Sequence, residues 1–214
     1  MTNRARPLVL AAPSGTGKTT IAHRLVDGSP DFVFSVSATT RRPRPGEADG
    51  TDYEFVTREV FEGLVAEGEM AEWAEVHGEL YGTPRRNLEG AAEAGRHVVL
   101  DIDVQGAAQI RESFPEAVRI FVLPPSGREM VRRIGLRASE QAPEVARRLR
   151  SALRELARAG EFHHVVVNDD LEATVSGVQE LVHEASQAQR PGDLDERVRT
   201  LKKEIRDILS DEFA

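Results

Sequence analysis

At 214 residues, with 40% apolar and 30% charged side chains, the chain can bury one full core and has the composition of a folded globular protein. A net charge of −8 argues against wholesale binding to nucleic acid or to an anionic membrane. No apolar run approaches the length of a membrane span, Met1 to Pro7 leads into no signal-like apolar region, and cysteine is absent, which suits a reducing cytoplasm and excludes disulfides and thiolate metal sites.

The apolar run Leu8-Val9-Leu10-Ala11 predicts a strand. It feeds Ala12-Pro-Ser-Gly-Thr-Gly-Lys-Thr19, after which Ile21, Ala22, Leu25 and Val26 fall on one face of a helix. A strand, a glycine turn with Gly-Lys-Thr and a helix together form the phosphate-loop arrangement. Gly15 and Gly17 let successive amides curl inward around phosphate oxygens at a helix N-terminus. Lys18 then reaches the outer phosphates of a nucleoside triphosphate, and the Thr19 hydroxyl suits Mg²⁺. The strict pattern begins with glycine, whereas this chain has Ala12.

Gly28-Ser-Pro30 stops the first helix, and Phe32–Val36 reads as a strand. Ser37 to Gly46 is a loop stiffened by Pro43 and Pro45, and it carries Arg41, Arg42 and Arg44. Tyr53 to Val56 alternates like an edge strand, and Glu59 to Ala66 is a short helix ended by Gly68. Met70 to Val76 alternates with Met70, Glu72, Ala74 and Val76 on one side; Leu80-Tyr81 resumes after His77-Gly78. Thr83-Pro84 resembles a helix cap followed by proline at the first helical position. Short strands with one small helix set 38–83 apart as an inserted lobe.

The strand–helix rhythm returns at His97–Leu100, which ends in Asp101-Ile-Asp103, followed by a helix. Val118–Leu123 is another buried strand. A helix capped by Ser126 runs from Arg128 to about Leu136, residues 137–143 are a polar break, and Glu144–Ala159 is a long helix. Val165–Val167 is the last core strand and leads into Asn168; Leu171 to about Gln189 is helical, Pro191-Gly192 breaks the chain, and Leu194–Leu209 is a charged helix. The fold class expected is α/β: a phosphate-loop core with a parallel sheet flanked by helices, a small mixed lobe inserted, and a helical lid. In such folds ligands lie beyond the carboxyl ends of the strands, so the phosphate loop, Asp101, Asp103 and Asn168 should converge on one crevice.

Asp101 ends an apolar strand and suits Mg²⁺ through water, or else caps the next helix. Arg41 and Arg44 near Tyr53 suit a second, small phosphate, or form a solvated basic loop. Ser126 to Arg158 holds nine Arg, no Lys and four Glu, about +5 in a chain of −8, as expected of a lid over a transferring phosphate.

Taken together, Ala12–Thr19, Ser37-Ala-Thr-Thr-Arg-Arg-Pro-Arg-Pro-Gly46, Glu72-Trp-Ala74, Tyr81-Gly-Thr83, Leu100-Asp-Ile-Asp-Val-Gln-Gly106 and Val167-Asn-Asp-Asp170 resemble guanylate kinase over about residues 7 to 187. The resemblance implies transfer of the ATP γ-phosphoryl group to GMP, and to dGMP alongside it, with Mg²⁺. It implies an ATP site of Ala12, Pro13, Ser14, Gly15, Thr16, Gly17, Lys18, Thr19 and Asn168. It implies a GMP site of Ser37, Arg41, Arg44, Tyr53, Glu72, Tyr81, Thr83 and Asp103, and metal contacts through Thr19 and, via water, Asp101. Lys18, Arg41, Arg137 and Arg148 would carry the transfer, although Gly135-Leu-Arg-Ala138 replaces the family's Arg-Gly-Arg-Gly lid.

The implied division is 1–37 and 84–190 for the kinase core, with a lid at about 135–148, 38–83 for the GMP lobe, and 191–214 for a C-terminal extension. Guanine's N1–H and N2–H₂ donors suit the Glu72 carboxylate and its O6 suits Ser37, whereas adenine presents an acceptor to Glu72. A peptide-binding module of the same fold and a sugar-phosphate kinase are the rival readings. Lys18 and Thr19 weigh against the first, and Ser37 with Glu72 and Asp103 against the second. In the extension, Leu194, Val198, Leu201, Ile205 and Ile208 form a coiled-coil-like stripe that either packs back on its own domain or pairs with a second copy as a homodimer.

Overall fold

The structure is a computed structural model that describes residues 5–76, 78–136, 142–183 and 189–213. Contacts divide it into two compact units: the chain up to Val9 with Val26–Val118, and Leu10–Leu25 with the chain from Arg119 onward. Strand β1 (Leu8–Ala11) belongs in part to each. It is the middle member of a five-stranded sheet with β2 (Phe32–Phe34), β7 (His97–Asp101), β8 (Val118–Leu123) and β9 (His164–Val167), in the order β2-β7-β1-β8-β9. The pairings of β2 with β7 and of β8 with β9 are parallel. Every residue of β1 and β8 is buried, as expected of strands covered on both faces.

The first unit also holds a four-stranded sheet of β3 (Ala38–Thr39), β4 (Glu54–Phe55), β5 (Met70–Val76) and β6 (Glu79–Pro84), ordered β4-β3-β6-β5. Helix α2 (Arg58–Ala66) lays Phe61, fully buried, against Ala38, Met70 and Leu80. Burying that phenyl ring contributes about 2–3 kcal/mol to a small lobe. Helices α3 (Arg85–Glu93) and α4 (Val104–Ser113) follow.

Two local expectations fail here. Thr83 is not a helix cap: it lies in β6, α3 begins at Arg85 after Pro84, and no side chain caps it. Met70 does not share a face with Glu72 either. The pairing of β5 with β6 shifts register between Met70 and Glu72, so Met70 joins the Phe61 cluster while Glu72, Ala74 and Val76 line a cleft. The extra residue of a bulge is what re-aims the glutamate.

The second unit holds α1 (Lys18–Gly28) as far as Leu25, α5 (Gly127–Leu136), α6 (Ala142–Leu156), α7 (Leu171–His183) and α8 (Leu194–Glu212). Of the stripe on α8, Leu201, Ile205 and Ile208 are buried in the chain itself, where α8 packs on α5 and α6, while Leu194 and Val198 are half-buried. No described helix is long and apolar enough to cross a membrane.

Candidate functional site

The phosphate loop lies in the second unit. β1 delivers Ala12 and Pro13, both buried, and α1 opens at Lys18 and Thr19. Gly15 and Gly17 have φ of 83° and 89°, which side-chain-bearing residues rarely adopt. The loop is braced from within and from outside. The Thr16 hydroxyl donates to the Pro13 carbonyl at 3.0 Å. The Thr16 carbonyl accepts from Asn168 Nδ2 at 2.7 Å and from Arg133 at 3.1 Å, and Arg133 also donates to the Asn168 carbonyl at 3.2 Å. A Cβ on Gly15 would lie 2.8 Å from the Met130 carbonyl and from Ile134, so α5 sits directly on the loop. A cleft of about 330 Å³ lined by Gly15, Gly17, Thr20, Arg133, Asn168, Asp169 and Leu171 opens here, within the size range of ligand sites.

Arg148 reaches the Ser14 hydroxyl at 3.4 Å, so α6 contributes an arginine to the same loop. Arg137, the other expected clamp, lies outside the described residues. Arg133 carries no motif and was not expected; its signal exists only in the fold, one helical turn after Glu129, which accepts from it at 2.7 Å. Arg132, and after it Arg133, hold the half-buried Glu129 carboxyl down to about 2. Asn168 is buried with its amide committed to the Thr16 carbonyl, so the structure gives it a bracing part.

A second cleft, of about 170 Å³, lies in the first unit, lined by Ser37, Tyr53, Glu72, Ala74, Val76, Tyr81, Gly82, Asp101, Ile102 and Asp103. Five of the eight expected GMP residues are on this wall; Arg41, Arg44 and Thr83 are not. Thr83 acts through Glu72, to whose Oε1 it donates at 2.6 Å, and Glu72 is only 4% exposed. A buried carboxylate held by a short charge-assisted bond is fixed in place. Space for it comes from Gly106 on α4, where a Cβ would stand 2.2 Å from Glu72 Oε2. Strand β5 is an edge strand, and Gln109 covers its edge beside Glu72. Its Oε1 accepts from the Trp73 amide at 3.2 Å and its Nε2 donates to the Trp73 carbonyl at 2.7 Å. From sequence, Gly106 only closes the Leu100–Gly106 segment and carries no role of its own, and Gln109 has none. Asn87 on α3 ties down the approach to Ser37 by donating to Ser35 and to the Val36 carbonyl, at 3.0 and 2.8 Å.

The helix cap falls on Asp103 rather than Asp101. Asp103 Oδ1 accepts from the amides of Gln105 and Gly106 at 2.9 and 2.8 Å, whereas Asp101 closes β7 on the cleft wall. Burial first, and then the Asp101 charge, push the Tyr53 hydroxyl up, which keeps it a proton donor. Tyr53 and Tyr81 stand edge to face, 6.1 Å apart. The Arg41 guanidinium lies 5.2 Å from the Tyr53 ring centroid and 5.7 Å from that of Phe55, and forks onto Glu47 at 2.9 and 3.0 Å. Arg41 is the chief reason the Glu47 carboxyl sits below its ordinary range. The Arg44 side chain is exposed, and its amide donates to Glu47 at 2.7 Å.

No group of three His, Cys, Asp or Glu side chains able to hold a metal exists among the described residues. A hydroxyl such as Thr19 and a carboxylate such as Asp101 are hard oxygen donors. Each is of the kind Mg²⁺ takes, an ion that keeps several waters and draws its remaining contacts from substrate phosphates.

The family model for guanylate kinase matches residues 4–185. Guanylate kinase of Anaeromyxobacter dehalogenans is 52% identical over 177 residues, 82% of this chain and 78% of that one. Guanylate kinase of Corynebacterium jeikeium is 46% identical over 182 residues, 84% and 97% of the two chains. The crystal structure of guanylate kinase from Anaplasma phagocytophilum superposes with a TM-score of 0.71 at 34% identity, covering 99% of this chain and 96% of that one. A buried carboxylate in a small cleft, a braced phosphate loop and these likenesses lead to one assignment: the chain belongs to the guanylate kinase family.

Proposed function

We propose that the two clefts divide the guanylate kinase reaction, the Gly15–Thr19 loop taking the phosphates of ATP and the Glu72 cleft taking GMP. Phosphorylation of GMP by ATP is the activity of the family. In this reading 38–83 is the GMP lobe, 1–37 and 84–190 are the kinase core with a lid at about 135–148, and 191–214 is an extension. Both substrates and the protein share the cytoplasm. The observation that carries the assignment of the cleft is the Glu72 carboxylate, buried, held by Thr83 and on the cleft wall with Ser37. Its oxygens match the N1–H and N2–H₂ donors of guanine, and Ser37 matches O6. Adenine would set an acceptor against a buried carboxylate, which costs the unmade bond and its desolvation. The reading extends to dGMP, as the family resemblance implies.

In the chemical step an oxygen of the GMP phosphate attacks the γ-phosphorus of ATP. The bond from that phosphorus to the β–γ bridging oxygen breaks, giving GDP and ADP. The attacking oxygen is already ionised at neutral pH, so no side chain need take a proton. The protein's work is positioning and neutralisation of charge. The loop amides and Lys18 hold the β and γ phosphates. Arg148, and Arg137 by family resemblance, neutralise the moving charge. Arg41, Arg44, Tyr53 and Tyr81 hold the acceptor phosphate, which requires Arg41 to share or release Glu47. Mg²⁺, held by Thr19 and through water by Asp101, would supply charge neutralisation on the β and γ oxygens. Calorimetric titration with GMP tests the assignment. Glu72→Gln sets an amide NH₂ against one guanine donor and should weaken binding about ten- to hundredfold. Unchanged affinity would remove Glu72 from guanine recognition.

A further inference from the structure

Helix α8 lies beyond residues 4–185 matched by the family model, and no part of the reaction so far uses it. The buried part of its apolar stripe is seated on α5 and α6, and half-buried Glu204, next to Ile205 of that stripe, reaches α5 as well. Glu204 Oε2 accepts from the backbone amide of Gly127 at 2.5 Å. Gly127 is the first residue of α5, where the N–H has no partner within the helix. Ser126 serves the Glu129 amide at 3.1 Å, and Glu204 adds to the cap from another helix. A carboxylate there also faces the positive end of the α5 dipole.

The fit leaves no slack. A Cβ on Gly127 would lie 2.9 Å from Glu204 Cβ and 3.4 Å from Ile205 Cγ1. Glycine is a poor residue for the first turn of a helix, and its place here is explained by the close approach of α8. About 9 Å further along α5 stands Arg133, which holds the Thr16 and Asn168 carbonyls, and Met130 and Ile134 to either side of it press on Gly15. Glu204 thus grips one end of a rigid rod whose other turns form the seat of the phosphate loop.

We propose that α8 is a positioning element for ATP: through Glu204 and Gly127 it fixes α5, and through Arg133 it holds the phosphate loop in its binding shape. Glu204 is a positioning residue and touches no substrate. The inference rests on the reading that ATP phosphates occupy the Gly15–Thr19 loop.

Calorimetry with Mg·ATP and, separately, GMP tests it on the full chain and on Glu204→Ala, Glu204→Gln and Lys18→Ala. Loss of a bond to a charged acceptor, passed on in part, should weaken ATP about three- to tenfold in Glu204→Ala. Glu204→Gln, which keeps an acceptor oxygen, should recover most of the loss, and GMP affinity should not move. Coupling is reciprocal, so ATP must strengthen the docking of α8 by the same factor. Hydrogen exchange of the Leu201–Ile208 amides in the unaltered protein should therefore slow about three- to tenfold with ATP and not with GMP, a readout independent of whether Glu204→Ala folds. Equal ATP affinity in Glu204→Ala, equal weakening of both nucleotides, or α8 exchange indifferent to ATP overturns the inference. If ATP binds Lys18→Ala as well as the unaltered protein, the loop reading itself falls, and the inference with it.

Discussion

Replacing Gly106 by alanine adds one methyl group against Glu72, on the wall of the cleft proposed to take guanine. The new Cβ would stand 2.2 Å from Glu72 Oε2 and 2.9 Å from Glu72 Cδ. Both atoms end a flexible side chain, so the carboxylate swings away and α4 stays in place. The backbone gains: glycine to alanine within a helix is worth about 1 kcal/mol. Crowding costs about 1–3 kcal/mol. Net stability then changes by no more than about 2 kcal/mol, or about 4–8 °C in a chain of this size. Recognition fares worse. A displaced Glu72 loses its 2.6 Å bond from Thr83 and, with it, the proposed pairing with two guanine donors. Two bonds to a charged acceptor are worth about 1.5–3 kcal/mol each, and the lower bound of about 3 kcal/mol already corresponds to about a hundredfold. Steady-state ADP release with GMP varied should show kcat/KM down by at least about a hundredfold while the KM for ATP holds. A folded Gly106→Ala enzyme with kcat/KM for GMP within about threefold of the parent would refute the role given to Glu72.

Lys18→Ala should melt like the parent yet lose about a thousandfold in kcat, measured on one sample; turnover within about threefold would contradict charge neutralisation by Lys18. Gln109→Leu unpins β5 beside Glu72 and should raise the KM for GMP about three- to tenfold with the KM for ATP unchanged. The Glu47 carboxyl is depressed below 4.5 in the fold, chiefly by Arg41. The latch it forms is therefore fully present above 4.5 and lost as pH falls through its lower folded value, and the Arg44 amide should lose exchange protection across that window. Ile205→Ala, at a fully buried position of α8, should cost about 2–5 kcal/mol in chemical denaturation; a loss under about 1 kcal/mol would show that the stripe is not core.

The parts of this fold that were legible in the sequence are those whose chemistry is local. Gly15, Gly17, Lys18 and Thr19 announce a phosphate loop because amide geometry and helix start are set by neighbours in the chain. The buried strands Leu8–Ala11 and Val118–Leu123 read directly from apolar runs. What stayed hidden acts across the fold. Arg133 lies in an ordinary basic helix until α5 is laid over Thr16. Gly106 looks like any helical glycine until Glu72 fills the space of its missing side chain. Thr83 before Pro84 has the local pattern of a cap, but strand pairing opposite Glu72 claims its hydroxyl. Period-two alternation placed Met70 with Glu72, and only the bulge separates them. In α8 the spacing of apolar residues was right, but spacing cannot name the surface that covers them.

The most direct test is transfer of label from γ-labelled ATP to a panel of GMP, AMP, CMP and UMP, with products resolved and rates taken as kcat/KM. Label should appear in GDP at least about a hundredfold faster than in ADP formed from AMP, because AMP sets an acceptor against the buried Glu72 carboxylate. Transfer to AMP at a rate comparable to GMP, or no transfer to GMP at all, would contradict the assignment of the Glu72 cleft to guanine.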